Sequence, residues 1–327
     1  MSILFLDGAE RNSNNKWTVN AYSPPAVSNT SLGGIGNYCY RIDNGEISKT
    51  LSISYSALYF SFKYRNNNAA EGTWIMHFKD SGGTVTFSIK RNVTSGLIEI
   101  RIGDGGTLLD TGDVALAYGV TYLIEVYYKP LNSGGECTVK VNGAADATYT
   151  GDTTAGLENV QEFHFGKAMT SSYYYLDDVV VSDSGWLGNQ YIQAIVPNGA
   201  GSLTQWDPST GSNYACVDEV TASDTDYVST NVTDEIDLYG MSNLTGTIGS
   251  ITAIDICARM AYEGNPTPTK QKIAYKSGAT TAYGSDISSG LSFIDYFSGP
   301  IATNPDDSAA WEEADINALE CGVKAIA

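Results

Sequence analysis

His77 in WIMHFK and His164 in EFHFG are the chain's entire imidazole supply, so a Ser-His-Asp or Cys-His device would need one of them at its centre. Each is flanked by strand-forming residues. The plain reading is a strand histidine, either satisfied by neighbours or facing solvent. The glycine run GDGG at 103–106 lies between strand-like segments and lacks the Lys-Ser/Thr ending of a phosphate-cradling loop. Cys39, Cys137, Cys216, Cys257 and Cys321 show no CxxC or Cys/His spacing, which argues against zinc ligation through them. Their odd number does not complete a disulfide framework, so they read as small buried residues of a protein folded in a reducing cytoplasm, with a Cys216–Cys257 bridge as the alternative. No reactive centre is expected, and no cofactor.

Two acidic groups have the ligand type for calcium, which takes several carboxylate and carbonyl oxygens. One is Asp104, Asp110 and Asp113 in GDGGTLLDTGD; the other is Asp177 with Asp178. Against calcium stand a solvated turn for the first and a loop-capping strand aspartate for the second. Trp74, Tyr127, Tyr128, Tyr173, Tyr174 and Tyr175 are the candidate interaction residues. Alternation along a strand sends at least one of the three consecutive tyrosines away from the core, toward an intersubunit contact, another protein or a sugar face.

These residues need a scaffold, and composition indicates its kind. At 327 residues the chain exceeds one compact core and predicts two domains. Its 34 glycines and 22 tyrosines, with only 17% charged residues, describe short strands joined by many turns. A net charge of −19 excludes a nucleic-acid partner, because phosphate binding needs clustered Lys and Arg. The opening MSILFLDGAERN has neither a basic region nor a long apolar run, and no stretch reaches membrane-spanning length. The expectation is a chain made in a host cytoplasm without a signal peptide, with no membrane partner.

From Ile3 to about Ser182 the sequence predicts successive strands: ILFLD, YCYRI, LSISY, LYFSFKYR, TWIMHFK, TVTFSIKR, LIEIRIG, YLIEVYYK, CTVKVNG, EFHFG and YYLDDVVV. Turn signals at NNNAAEG, DSGG, NSGG and NG separate them. The fold class is all-β: two β-sandwich domains, spanning 1–185 and 186–327, the second with one short helix near the C-terminus. In that second part the spacing predicts a long central strand over 251–262, a helix in AAWEEADINAL capped by Asp307 or Ser308, and a closing strand.

Early FLDGAE, the YLIEVYYKP and CTVKVNG pair, and late FHFG then YYLDDVVVSD resemble the concanavalin A-like (LamG-type) jelly roll over roughly residues 1–185. The resemblance implies two antiparallel sheets, one of them concave. It does not choose a function, since lectins, binding modules, endoglucanases and viral structural modules share the fold. The glucanase branch would need two glutamates in an ExDxxE strand, flanking the scissile bond about 5 Å apart. EIDLYG at 235–240 lacks the second glutamate, and EFHFG lacks both partners.

The second part, from LDDVVVSDSGWLGNQYIQAIVPNG through TQWDPSTGSNYACVDEV, TDYVST and EIDLYGM to AWEEADINALECGVKAI, resembles a domain of tailed-bacteriophage and prophage virion proteins. That resemblance implies a non-enzymatic tail, fibre-associated or capsid-decorating subunit in the virion, a homo-oligomer docking with other virion proteins. Its conspicuous aromatics are Trp186, Trp206, Tyr214, Tyr227, Tyr239 and Trp311, most of them expected in the second core. The alternative function is a carbohydrate-binding, lectin-like module that recognises host surface glycans through the first domain.

Overall fold

The computed structural model describes residues 2–21, 26–28, 30, 32, 38–43, 45–51, 55–67, 73–156, 160–167, 173–262, 264 and 268–327. The chain forms two compact units, Met1–Ile192 and Gln193–Ala327. The division therefore falls after Ile192, not after Gly185. Among the described residues the fold is all-β apart from one 3-10 turn, Asn213–Cys216, and one α-helix, Glu313–Asn317. No helix among them is long and apolar enough to cross a membrane.

The first unit is a two-sheet antiparallel sandwich of jelly-roll type. One sheet runs Ala144–Gly151, Gly135–Val141, Thr121–Lys129, Leu58–Asn66, Tyr174–Ser182, Cys39–Ile42 and Ala26–Ser28, with Ile3–Asp7 also paired to Tyr174–Ser182. The other runs Leu108–Thr111, Ile98–Ile102, Val85–Arg91, Thr73–Asp80, Val160–Lys167, Gly45–Thr50 and Thr18–Ala21. Ten of the eleven expected strands are present; LSISY falls mostly on 52–54, outside the described residues, as does most of the NNNAAEG turn.

Alternation makes the core. Phe60, Phe62 and Tyr64 of one sheet meet Phe78, Phe87, Phe163 and Phe165 of the other, all essentially dry. The rings pack edge-on or stacked, as in Phe60 against Phe163 at 5.2 Å and Phe78 against Tyr128 at 4.1 Å. The expected NG turn closes one hairpin, with Asn142 at φ 51° and Gly143 at φ 86°. None of the five cysteines is in a disulfide, so no Cys216–Cys257 bridge forms.

The second unit centres on a five-stranded sheet ordered Pro197–Thr204, Ile236–Met241, Glu320–Ile326, Lys270–Ser277 and Thr280–Tyr283. The predicted closing strand is present, and it lies in the middle of this sheet. Trp311, Ile316, Leu319 and Cys321 form its core with Ile251, Ile254, Ile256 and Tyr275 around them. Of the six conspicuous aromatics, Tyr239 and Trp311 are buried, while Trp186 is partly exposed and belongs to the first unit.

Two local expectations are corrected. Residues 251–262 are not one long strand: only Cys257–Met260 is, paired with Ile294–Phe297, and Ile254 makes a single bridge to Ile301. Residues 251–259 are all half-buried, so the alternation of residue types marks no buried face, and the backbone pairs only in short stretches. The helix is capped by Glu312, whose N–H donates to Asp315 at 2.9 Å, whereas Asp307 and Ser308 shape the preceding turn.

Gly322 shows why this sheet packs as closely as it does, since a Cβ there would stand 1.8 Å from the Asp237 carbonyl oxygen. Gly322→Ala is expected to destabilise the chain by about 3 kcal/mol through overpacking. A lowered urea midpoint checks this; an unchanged midpoint would show that the strand has room to shift.

Candidate functional site

The outward face of the sheet holding Leu58–Asn66 carries the first site. Strand alternation points Tyr59, Ser61 and Lys63 outward beside Leu123, Glu125 and Tyr127 of the neighbouring strand. In Tyr174–Ser182 a bulge interrupts this rhythm: Leu176 and Val179 both face the core, so the two residues between them turn the same way. Asp178 adopts φ 50°, and both Asp177 and Asp178 are left outward yet only 3% exposed.

Two adjacent carboxylates in so dry a place cannot both stay charged without compensation. Asp178 has it: Lys63 Nζ lies 2.9 Å from its Oδ2, and the Ile192 N–H donates to its Oδ1 at 2.8 Å. Asp177 accepts the Asp178 N–H at 2.8 Å and feels Lys63 at longer range. Burial, reinforced by the charge of Asp178, pushes its carboxyl up to about 9. The cation beside this pair is therefore the chain's own ammonium. Asp104, Asp110 and Asp113 do not converge either, since Asp104 pairs with Lys167 and Asp110 accepts the Thr148 N–H at 2.7 Å.

Asp178 also anchors the segment after the last strand of the sandwich. Gly188 donates its N–H to Glu125 at 2.8 Å and accepts from Ser61 Oγ at 2.7 Å, and Leu187 is buried. Trp186 stands edge-on to Tyr59 at 5.6 Å, with Lys140 Nζ 3.6 Å from its ring centre. Between this strap and Leu32 lies a cleft of about 400 Å³ lined by Leu32, Lys63, Thr121, Leu123, Asn142 and Asn189. Tyr191 adjoins it: Asn189 Nδ2 donates to its hydroxyl at 2.7 Å, its ring centre is 3.5 Å from Lys63 Nζ, and the residue is 46% exposed.

The predicted aromatic set is split up. Tyr128 and Tyr174 are core residues, bonded to the Thr153 and Ile75 carbonyls. Tyr175 points outward as alternation requires, but Leu32, Cys39 and Tyr173 bury it. Tyr127 is half-buried near Trp186, and Trp74 belongs to the other sheet. The cleft residues Lys63, Thr121, Asn142 and Asn189 were missed by sequence reasoning, and only the NG turn at Asn142 offered a signal.

On the outward face of the second sheet one cross-strand row runs Thr18, Ser48, His164, His77, Ser88 and Arg101. The two histidines stack at 4.5 Å and are 0–1% exposed. Glu46 bridges them, with Oε2 3.4 Å from His77 Nε2 and Oε1 3.4 Å from His164 Nδ1. Glu162 Oε2 lies 3.1 Å from His164 Nε2, and Lys79 Nζ 3.1 Å from Glu46. Burial pushes His77 down to about 4, despite its bond to Glu46. Burial also works against the Glu46 charge, but the two histidines beside it outweigh that and hold the carboxyl well below its ordinary range. Trp74 stands edge-on to His77 with Lys90 and Lys167 over its ring.

No protein-family model matches the sequence, and no curated protein matches it. Solved structures similar to part of the chain include a sialidase (TM-score 0.42, 12% identity, 55% of this chain and 18% of that one). An endo-β-1,4-glucuronan lyase from the fungus Trichoderma reesei gives 0.43, 15%, 55% and 95%. The carbohydrate-binding module CBM66 from Bacillus subtilis gives 0.35, 10%, 50% and 94%. Likenesses this distant carry no argument about activity, and the sandwich rests on the strand order of the chain itself.

The bulge yields opposite expectations for two neighbouring residues. Folded Asp177 keeps a proton that the unfolded chain gives up above its ordinary carboxyl range, so stability falls as pH rises from about 4 toward about 9. Asp177→Asn is expected to flatten that decline and raise the melting temperature at pH 8. Asp178→Asn leaves the Lys63 ammonium buried and unpaired, and is expected to cost about 3 kcal/mol at pH 7. Thermal melts across pH decide both; equal effects of the two variants would contradict the assignment.

Proposed function

We propose that the first unit is a non-enzymatic carbohydrate-binding module whose ligand enters the cleft beside Tyr191. The observation that carries this reading is the cleft lining itself: two side-chain amides, one hydroxyl, one lysine and two leucines, with an exposed tyrosine ring alongside. Amides and hydroxyls match the paired donor and acceptor character of sugar hydroxyls, and an aromatic face matches the apolar face of a pyranose. Among the described residues that line the cleft there is no carboxylate, the group that would serve as acid or base in glycoside hydrolysis. Asp178 neutralises Lys63, which favours an uncharged sugar over a polyanion.

The setting we infer is a bacteriophage particle, with host surface glycans as the ligands and other virion proteins as docking partners of a homo-oligomer. What supports it is the ordered set of segments in the second part of the sequence, from LDDVVVSDSGW to AWEEADINALECGVKAI. The high negative charge suits a subunit that must stay soluble until it assembles.

A glycan array probed with the full chain, with and without calcium, is expected to show binding to neutral glycans in both conditions. Tyr191→Ala and Asn189→Ala are each expected to weaken it at least tenfold, about 1.4 kcal/mol. Silence across the array, or full binding by both variants, would remove the reading.

A further inference from the structure

The geometry points to a second, independent site: a transition-metal site, of the zinc class, formed by Glu46, His77 and His164 on the other sheet. These three are the only group of histidine, cysteine and carboxylate side chains among the described residues whose ligand atoms all lie within 4.8 Å of one another. Two imidazoles and a carboxylate form a donor set typical of zinc, with about 2.0–2.2 Å bonds and tetrahedral donors therefore about 3.3 Å apart. The distances from Glu46 to His77 Nε2 and to His164 Nδ1, 3.4 Å each, already match that spacing.

Two further observations point to a ligand. His164 Nδ1, which faces Glu46, is buried on a side chain that is 0% exposed and completes no hydrogen bond. Buried polar atoms are normally satisfied, and an orphaned ring nitrogen beside a carboxylate is one that an ion would satisfy. On the far side of His164, Glu162 Oε2 stands 3.1 Å from Nε2, and Thr50 Oγ1 in turn donates to Glu162 Oε1 at 2.8 Å. That is the outer carboxylate that orients a metal-bound histidine and raises its basicity.

Capture of the ion carries a defined rearrangement. The rings are stacked with planes 18° apart, so their in-plane lone pairs run side by side and do not meet. One imidazole must turn about its Cβ–Cγ bond, and Lys79, now 3.1 Å from Glu46 Oε1, must release that oxygen. The ion then replaces the ammonium as the counter-charge of Glu46.

The test uses the full chain titrated with cobalt(II) or zinc(II) alone. One equivalent of cobalt is expected to produce visible ligand-field absorption, lost in His77→Ala and in His164→Ala. Glu162→Gln is expected to weaken binding by about 10- to 100-fold without abolishing it. Histidine ring-nitrogen chemical shifts of the unaltered chain, recorded with and without zinc, give a readout that no variant's folding affects. Movement of the ring nitrogens of both histidines supports the site. No uptake at micromolar metal, or unchanged ring shifts on saturation, would overturn it.

Discussion

The pairing of Asp178 with Lys63 is the interaction on which the first unit's outward surface depends. A strand bulge forces two adjacent aspartates to one side, and only one of them can be charged in so dry an environment. Lys63 decides which. Because Asp178 stays ionised, it has a free oxygen for the Ile192 N–H, and the segment 184–192 is fastened across the sheet. That strap covers Glu125 and Ser61, positions Trp186 over Tyr59, and forms one wall of the cleft through Asn189. Without it the sheet would present a flat row of alternating side chains, with no concavity to hold a ligand.

The two sheets solve the same problem differently. Both have a dry inner face, of phenylalanines and tyrosines on the first sheet and of phenylalanines and isoleucines on the second, and each buries charged residues on the face turned away from it. On the first sheet the segment 184–192 does the covering, and a lysine supplies the counter-charge. On the second the polar side chains compensate one another across strands, Glu46 against two histidines and Lys79. That network leaves two ring nitrogens unmatched, and this incompleteness distinguishes it from the fully bonded Asp237 of the second unit, which accepts from Gln205, Asn213 and Tyr239.

Much of the fold was legible in the sequence because its signals are local. Alternation in SFKYR and VTFSIKR, the NG turn, and the closing strand after Leu319 each depend on neighbours within a few residues. The site was hardly legible. His77 and His164 are 87 positions apart (164 − 77), and nothing along the chain shows that strand pairing sets them ring on ring. The Asp177–Asp178 pair read as an ion site on ligand type alone, because a lysine more than a hundred positions earlier is invisible until the strands are aligned. Tyr173, Tyr174 and Tyr175 show the same limit: alternation correctly separated their faces, yet it could not reveal that Leu32 and Cys39 cover the outward one. Residues 251–262 erred in the opposite direction, since residue types alternate there without a continuous strand pairing or an alternating burial beneath them.

The most direct test of this account is native-state hydrogen exchange at the Ile192 and Gly188 amides, comparing the unaltered chain with Asp178→Asn. If the aspartate-lysine pair fastens the strap, both amides lose protection in the variant while core amides such as Phe163 keep theirs, because the strap opens locally. Undiminished protection at Ile192 in a folded variant would contradict it, and the cleft would then need another explanation.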